Sequence, residues 1–177
     1  GDDTRHNPPN IGDQTAAFLM MNRNKRGIAL DLKKPGGAKV MNRLLESADV
    51  LVENFGTGVM ERMGFGYEDL RRRFPALTYC SLSGFGRTGP YKDRRGFDLV
   101  AQAMSGIMSF TGEGPGRPPV KCGAPLSDIT AGILAAMGIL AAYTHRLKTG
   151  GGQWVETSLY EAALVQTDWQ SAMALAT

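Results

Sequence analysis

Apolar positions along the chain fall into two kinds of pattern. Short unbroken runs occur at residues 49–53 (Asp-Val-Leu-Val-Glu) and 77–83 (Leu-Thr-Tyr-Cys-Ser-Leu-Ser). Such runs are typical of parallel strands buried on both faces. Shorter stretches at 27–32 and 155–159 read as further strands. Between them apolar residues recur at spacings of three and four, the helical period. Pro35 opens a helix over 37–47, with Val40, Leu44 and Leu45 on one face. Further helices are predicted over 59–63, 67–73, 97–108, 129–148 and 160–174. Residues 1–13 read as loop, 14–22 as an apolar cluster and 111–119 as a Gly/Pro loop.

Strands alternating with helices in this order predict an α/β fold, a doubly wound parallel sheet of Rossmann-like type. Ligands of such sheets bind beyond the carboxyl ends of the strands. Here those ends run into Gly-rich turns at 54–58 and 84–90, flanked by Arg62 and Arg87. Residues 54–58 lack the Lys-Ser/Thr of a P-loop and are not GxGxxG.

The longest helix follows Lys121-Cys-Gly-Ala-Pro-Leu-Ser-Asp-Ile-Thr. Pro125 holds the segment before it extended, and Ser127 and Asp128 are good N-cap residues. At such a position, orphan N–H groups and the helix dipole favour an ionised Asp128. The plain reading of Asp128 is the cap of a core helix. Gly132, Ala135 and Ala136 behind it form a face of small residues that can approach another backbone closely.

Composition narrows the function. With 42% hydrophobic and 21% charged residues over 177 positions, the chain is an ordinary globular one, and residues 1–177 read as a single partial domain. A net charge of +3 suits a small anionic ligand and gives no basic face for nucleic acid. The apolar run 129–143 falls about five residues short of a membrane span. Cys80 and Cys122 form no CxxC pair or metal-ligand pattern and read as reduced thiols, so a cytoplasmic setting is expected. The two His residues, His6 and His145, sit in no neighbourhood that suggests a catalytic triad.

The series NRNKRGIALDLKKPGGAKV, ADVLVENFGTGVMERMGFGYEDL, PALTYCSLSGFGRTGPY, GFDLVAQAMSG, GAPLSDITAG and KTGGGQWVETSLYEAAL resembles the class III CoA-transferase family, the formyl-CoA transferase and carnitine-CoA transferase group. The resemblance implies that Asp128 is the nucleophile. It would take an acyl group from acyl-CoA as a mixed anhydride and then carry CoA as an aspartyl thioester. It also implies that Asn54, Phe55, Val59, Arg62 and Met63 line the CoA site, that Leu30 and Lys33 lie near the adenosine end, and that Arg95 and Phe97 make further CoA contacts. The substrates implied are an acyl-CoA and a small carboxylic acid, with no prosthetic group or metal, in an interlocked homodimer.

Family members are about twice as long, so the resemblance implies that residues 1–177 are part of the large Rossmann-like domain, with the start of the linker toward the small domain near the C-terminus. The sheet is expected to be incomplete at both ends and the isolated chain to associate and to be inactive. A related acyl-CoA epimerase would pair its Asp with a His in Gly-His-Asp. This chain has Gly96-Phe97-Asp98, and Phe carries no proton. The remaining alternative is a non-catalytic CoA- or nucleotide-binding fragment.

Overall fold

The computed structural model describes residues 2–176. It contains two compact units, Gly1–Arg43 and Leu44–Thr177.

In the first unit a 3₁₀ turn, Asp3–His6, precedes a two-residue antiparallel hairpin of β1 (Asn10–Ile11) and β2 (Gln14–Thr15). Thr15 caps helix α1 (Ala16–Met21). Its Oγ1 accepts the Phe18 N–H at 3.1 Å and donates to the Thr4 carbonyl. Residues 10–13, expected as loop, therefore join residues 14–15 in a small hairpin. The strand predicted over 27–32 does not form, and Ile28 is 64% exposed. Its alternating Ile28, Leu30 and Leu32 have the right pattern, but a strand needs a ladder partner for its N–H and C=O groups. Helix α2 (Pro35–Leu45) starts at the proline as predicted.

The second unit is built on three parallel strands. These are β3 (Val50–Glu53), β4 (Thr78–Ser83) and β5 (Trp154–Ser158), in the order β3-β4-β5. Val52 pairs with Cys80 and Cys80 with Val155, which makes β4 the central strand. Between β3 and β4 lie helices α3 (Val59–Arg62) and α4 (Tyr67–Arg73). Three helices follow β4: α5 (Asp98–Met104), α6 (Ile107–Thr111) and α7 (Leu126–Thr149). After β5 come α8 (Leu159–Val165) and α9 (Asp168–Ala176).

Strand side chains alternate between the two faces of a sheet. On one face Tyr67 of α4 stacks on Trp154 at 5.2 Å and meets Tyr79 edge-on at 5.9 Å. On the other, α7 lies against Val155, and a Cβ on Gly138 would come within 2.6 Å of Val155 Cγ1. Helices thus cover both faces, as a doubly wound sheet requires.

Helix α7 buries Ser127, Ala131, Ala135 and Ala142. The inward face is therefore one residue out of phase with the predicted one, and Gly132 and Ala136 are exposed on the far side. At 24 residues the helix is also long and apolar enough, by length and composition, to cross a membrane. The same helix lies against β4 and β5, with Gly138 at Val155. Two predicted helices are broken. The one over 97–108 divides where Gly106 takes φ +88°, the left-handed region open to glycine. The one over 160–174 divides at residues 166–167, before Asp168 at φ +40°.

Candidate active site

Beyond the carboxyl ends of β3 and β4 lies a cavity of about 570 Å³, bounded by the turn after β3, by Ser83 and Gly84, and by residues 92–97. Its walls are tied together by the backbone. Asn54 Nδ2 donates to the Leu82 carbonyl at 2.9 Å, and Thr57 Oγ1 donates to the Lys92 carbonyl at 2.5 Å. The backbones of Gly84 and Gly96 meet so closely that a Cβ on either would overlap the other. Glycine is required at this crossing because the two main chains touch.

Beneath the turn lies a buried ion pair between Glu53 and Arg87, whose side chains are 1% and 7% exposed. The second Glu53 oxygen accepts the Phe55 N–H at 2.8 Å. The Arg87 N–H donates to Glu156 at 2.6 Å, and the guanidinium stands 3.6 Å from Glu61. These contacts join the ends of β3 and β5 to the loop after β4.

Asn54, Phe55, Val59, Arg62, Arg95 and Phe97, singled out by sequence, all line this one cavity. Met63 is half-buried at the C-terminal end of α3, outside the lining. Leu30 lines a separate cavity of about 750 Å³ within the first unit, beside Arg5, Lys25 and Arg26. Lys33 is exposed in the turn before α2, its N–H held by Asp31 at 3.1 Å, and it lines neither cavity. Lys92 and Arg94 also line the first cavity, with Arg94 lying 4.4 Å over the Tyr91 ring. A Lys/Arg cluster after a Gly-Pro turn carries no periodicity, so only the Gly84–Gly96 crossing reveals its place.

Asp128 occupies the first turn of α7, three residues past the cap position rather than at it. The cap position falls to Pro125, which has no side-chain acceptor. Asp98 takes that role from α5. Its Oδ1 accepts the Ser127 N–H at 2.8 Å, and its Oδ2 accepts from Gln102 Nε2 at 2.7 Å. Gln102 is fully buried, and its Oε1 accepts the Cys122 N–H at 2.9 Å. Asp128 stays accessible at the surface. Partial loss of hydration, and then the negative charge of Asp98, raise its carboxyl above the ordinary aspartate value. The direction is opposite to the one expected from the helix dipole: partial burial first, and then the second carboxylate that the α5–α7 packing brings up, outweigh it. Cys80, buried in β4, has its thiol pushed up to about 11 by desolvation and Glu53, and both cysteines are free.

The family model for CoA-transferase family III matches residues 1–177, and the chain belongs to that family. It is 43% identical over 164 residues to the acetyl-CoA:oxalate CoA-transferase of Acetobacter aceti, covering 93% of this chain and 42% of that protein. Identity to the human succinyl-CoA:glutarate CoA-transferase is 41% over 160 residues, 90% of this chain and 36% of that one. The succinyl-CoA:mesaconate CoA-transferase of Haloarcula hispanica is 45% identical over 172 residues, 92% and 43% of the respective chains. Among solved structures, a CAIB/BAIF family protein from Brucella suis superposes with a TM-score of 0.93 at 38% identity, over 100% of this chain and 48% of that one. The chain spans less than half the length of each of these relatives.

Proposed function

We propose that this chain carries the nucleophile and much of the CoA site of an enzyme that moves CoA from an acyl-CoA to a carboxylic acid. The observation that carries this reading is one peptide step. Phe97 lines the cavity beyond the sheet, and Asp98, the next residue, holds the loop that presents Asp128.

In the proposed reaction the Asp128 carboxylate attacks the acyl carbonyl and expels the CoA thiolate, leaving a mixed anhydride. The thiolate attacks the aspartyl carbonyl, which releases the donor acid and leaves an aspartyl-CoA thioester. An acceptor carboxylate attacks this thioester and frees the thiolate again. The thiolate then attacks the new acyl carbonyl, forming the product acyl-CoA and regenerating Asp128. One hard transfer is thereby split into easier steps. Arg62, Lys92, Arg94 and Arg95 around the cavity supply cations for the phosphates of CoA. Phe97 offers no second acid or base, which argues against epimerisation of the acyl-CoA. A cytoplasmic homodimer completes the proposal, supported by the free cysteines and by the exposed apolar side chains of Ile133, Met137 and Leu140 on α7.

The test is to mix the protein, produced at the full length of its relatives, with an acyl-CoA, quench in acid and measure intact mass. The expected result is an adduct of acyl or CoA mass on the peptide that contains Asp128. No adduct together with no transfer would overturn the reading.

Two further outcomes follow from the site. Arg62→Ala should raise KM for acyl-CoA by roughly ten- to a hundredfold, the size of a charge-assisted hydrogen bond, with kcat little changed. An unchanged KM in steady-state kinetics would mean that Arg62 faces only solvent. The raised Asp128 carboxyl sets the acid limb of the pH profile. The attacking form is the anion, so turnover should fall on acidification through a midpoint above the ordinary aspartate value. A limb at or below that value in kcat against pH would contradict the assignment.

A further inference from the structure

Resting on the reading of Asp128 as nucleophile, the geometry points to Asp98 and Gln102 as positioning residues that fix the loop presenting it. Gln102 is fully buried on α5, and each end of its amide has a defined partner. Its Oε1 accepts the Cys122 N–H at 2.9 Å, while its Nε2 donates to Asp98 at 2.7 Å and more weakly to the Ala124 carbonyl at 3.3 Å. The second Asp98 oxygen accepts the Ser127 N–H at 2.8 Å.

Residues 122, 124 and 127 are thus all held by two side chains one helical turn apart. This matters because the loop holds itself only by short local bonds, Leu126 N–H to the Ala124 carbonyl at 2.9 Å and Lys121 Nζ to the Cys122 carbonyl at 3.1 Å. Pro125, at the cap position, supplies no side-chain acceptor, and the buried Ser127 hydroxyl has no hydrogen-bond partner. The direction in which α7 leaves the loop, and so the direction of Asp128, is set from α5. A nucleophile displaced by about 1 Å can lose on the order of a hundredfold in rate while substrate still binds.

The pair has a defined polarity, and that makes it testable. Gln102→Glu keeps the acceptor for Cys122 but sets two carboxylates against each other. Adding Asp98→Asn inverts the donor and acceptor: the new amide donates to the new carboxylate, and its oxygen still accepts from Ser127.

The experiment measures kcat and KM in the purified enzyme, using whichever donor–acceptor pair named for its relatives turns over fastest. Binding of free CoA is followed by calorimetry, and Asp128→Asn serves as reference. Gln102→Glu should lower kcat on the order of a hundredfold, with KM and CoA affinity within about threefold of wild type. The double variant should recover to within about tenfold of wild type. A residue that only stabilised the fold would change the fraction of protein able to bind CoA, not turnover per binding site.

Wild-type kcat in Gln102→Glu, or a double variant no faster than the single, would overturn the proposal. If Gln102→Glu no longer binds CoA, Asp98→Asn alone decides. It sets one amide against another, so its kcat should fall about tenfold, and an unchanged rate overturns the proposal. If Asp128→Asn still transfers CoA, the nucleophile reading and the positioning fall together. If Asp128→Asn is silent while the Gln102 and Asp98 variants are normal, only the positioning falls.

Discussion

Asp128→Asn is expected to abolish CoA transfer, by at least on the order of 10⁴-fold in kcat, as loss of a covalent nucleophile does elsewhere. Asparagine keeps the size of the side chain but replaces the attacking oxygen anion with a neutral amide. The framework around it is built from other residues. Asp98 holds the Ser127 N–H and Gln102 holds the Cys122 N–H, and neither bond involves the Asp128 side chain. The turn at residues 54–57 and the Gly84–Gly96 crossing do not involve it either. Free CoA should therefore bind the variant within about a factor of two of wild type by calorimetry. The adduct seen by intact mass after exposure to acyl-CoA should disappear. Transfer within tenfold of wild type, or a persisting adduct, would refute the role of Asp128.

The second large effect is on stability. Arg87→Met should cost about 3–5 kcal/mol, because it leaves the Glu53 carboxylate buried without its partner charge. The Phe55 N–H continues to serve one Glu53 oxygen, and the other belongs to a side chain that is only 1% exposed. Chemical unfolding followed by circular dichroism measures the loss. Replacing both partners, Glu53→Gln with Arg87→Met, should recover a large part of it, since the isolated buried charge is then gone. A loss below about 1 kcal/mol for Arg87→Met would show that Glu53 is hydrated in solution and that the pair does not secure the loop.

Of the strands of the second unit, β4 was legible because Thr78, Tyr79, Cys80 and Ser81 are buried on both faces, while β3 and β5 were legible from short apolar runs although Val52 is 54% exposed. Residues 50–52 and 77–80 have little alternative to a parallel sheet, and Pro35 and Gly58 mark the start of helices by backbone chemistry alone. The segment around Ile28 misled because periodicity describes a strand's faces, whereas a strand also requires an edge to pair with. The breaks at Gly106 and Gln166 were missed because apolar spacing continues across them.

For the site, the resemblance named six residues that share one cavity, and the order of the motifs carried that information. What could not be read was long-range and polar. The carboxylate of Asp98 lies 30 positions before Asp128 in sequence, yet it caps the helix of Asp128 and raises its carboxyl. The ion pair of Glu53 and Arg87 and the bond from Arg87 to Glu156 likewise join segments that no local window contains.

The strand order β3-β4-β5 also bears on how the chain acquires its structure during synthesis. β4 gains its first neighbour, β3, from upstream, but its second, β5, begins about 70 residues after β4 ends. At ribosomal rates of about 5–20 residues per second, roughly 4–14 s separate the two. During that interval the most buried strand of the sheet, with Tyr79 and Cys80, presents an unpaired edge. Closing it means bringing together segments far apart in sequence, the kind of contact that slows folding most. The nascent chain is therefore most exposed to aggregation between the emergence of Ser83 and that of Trp154. A chaperone bound in this window would act on the strand that later lies at the centre of the sheet.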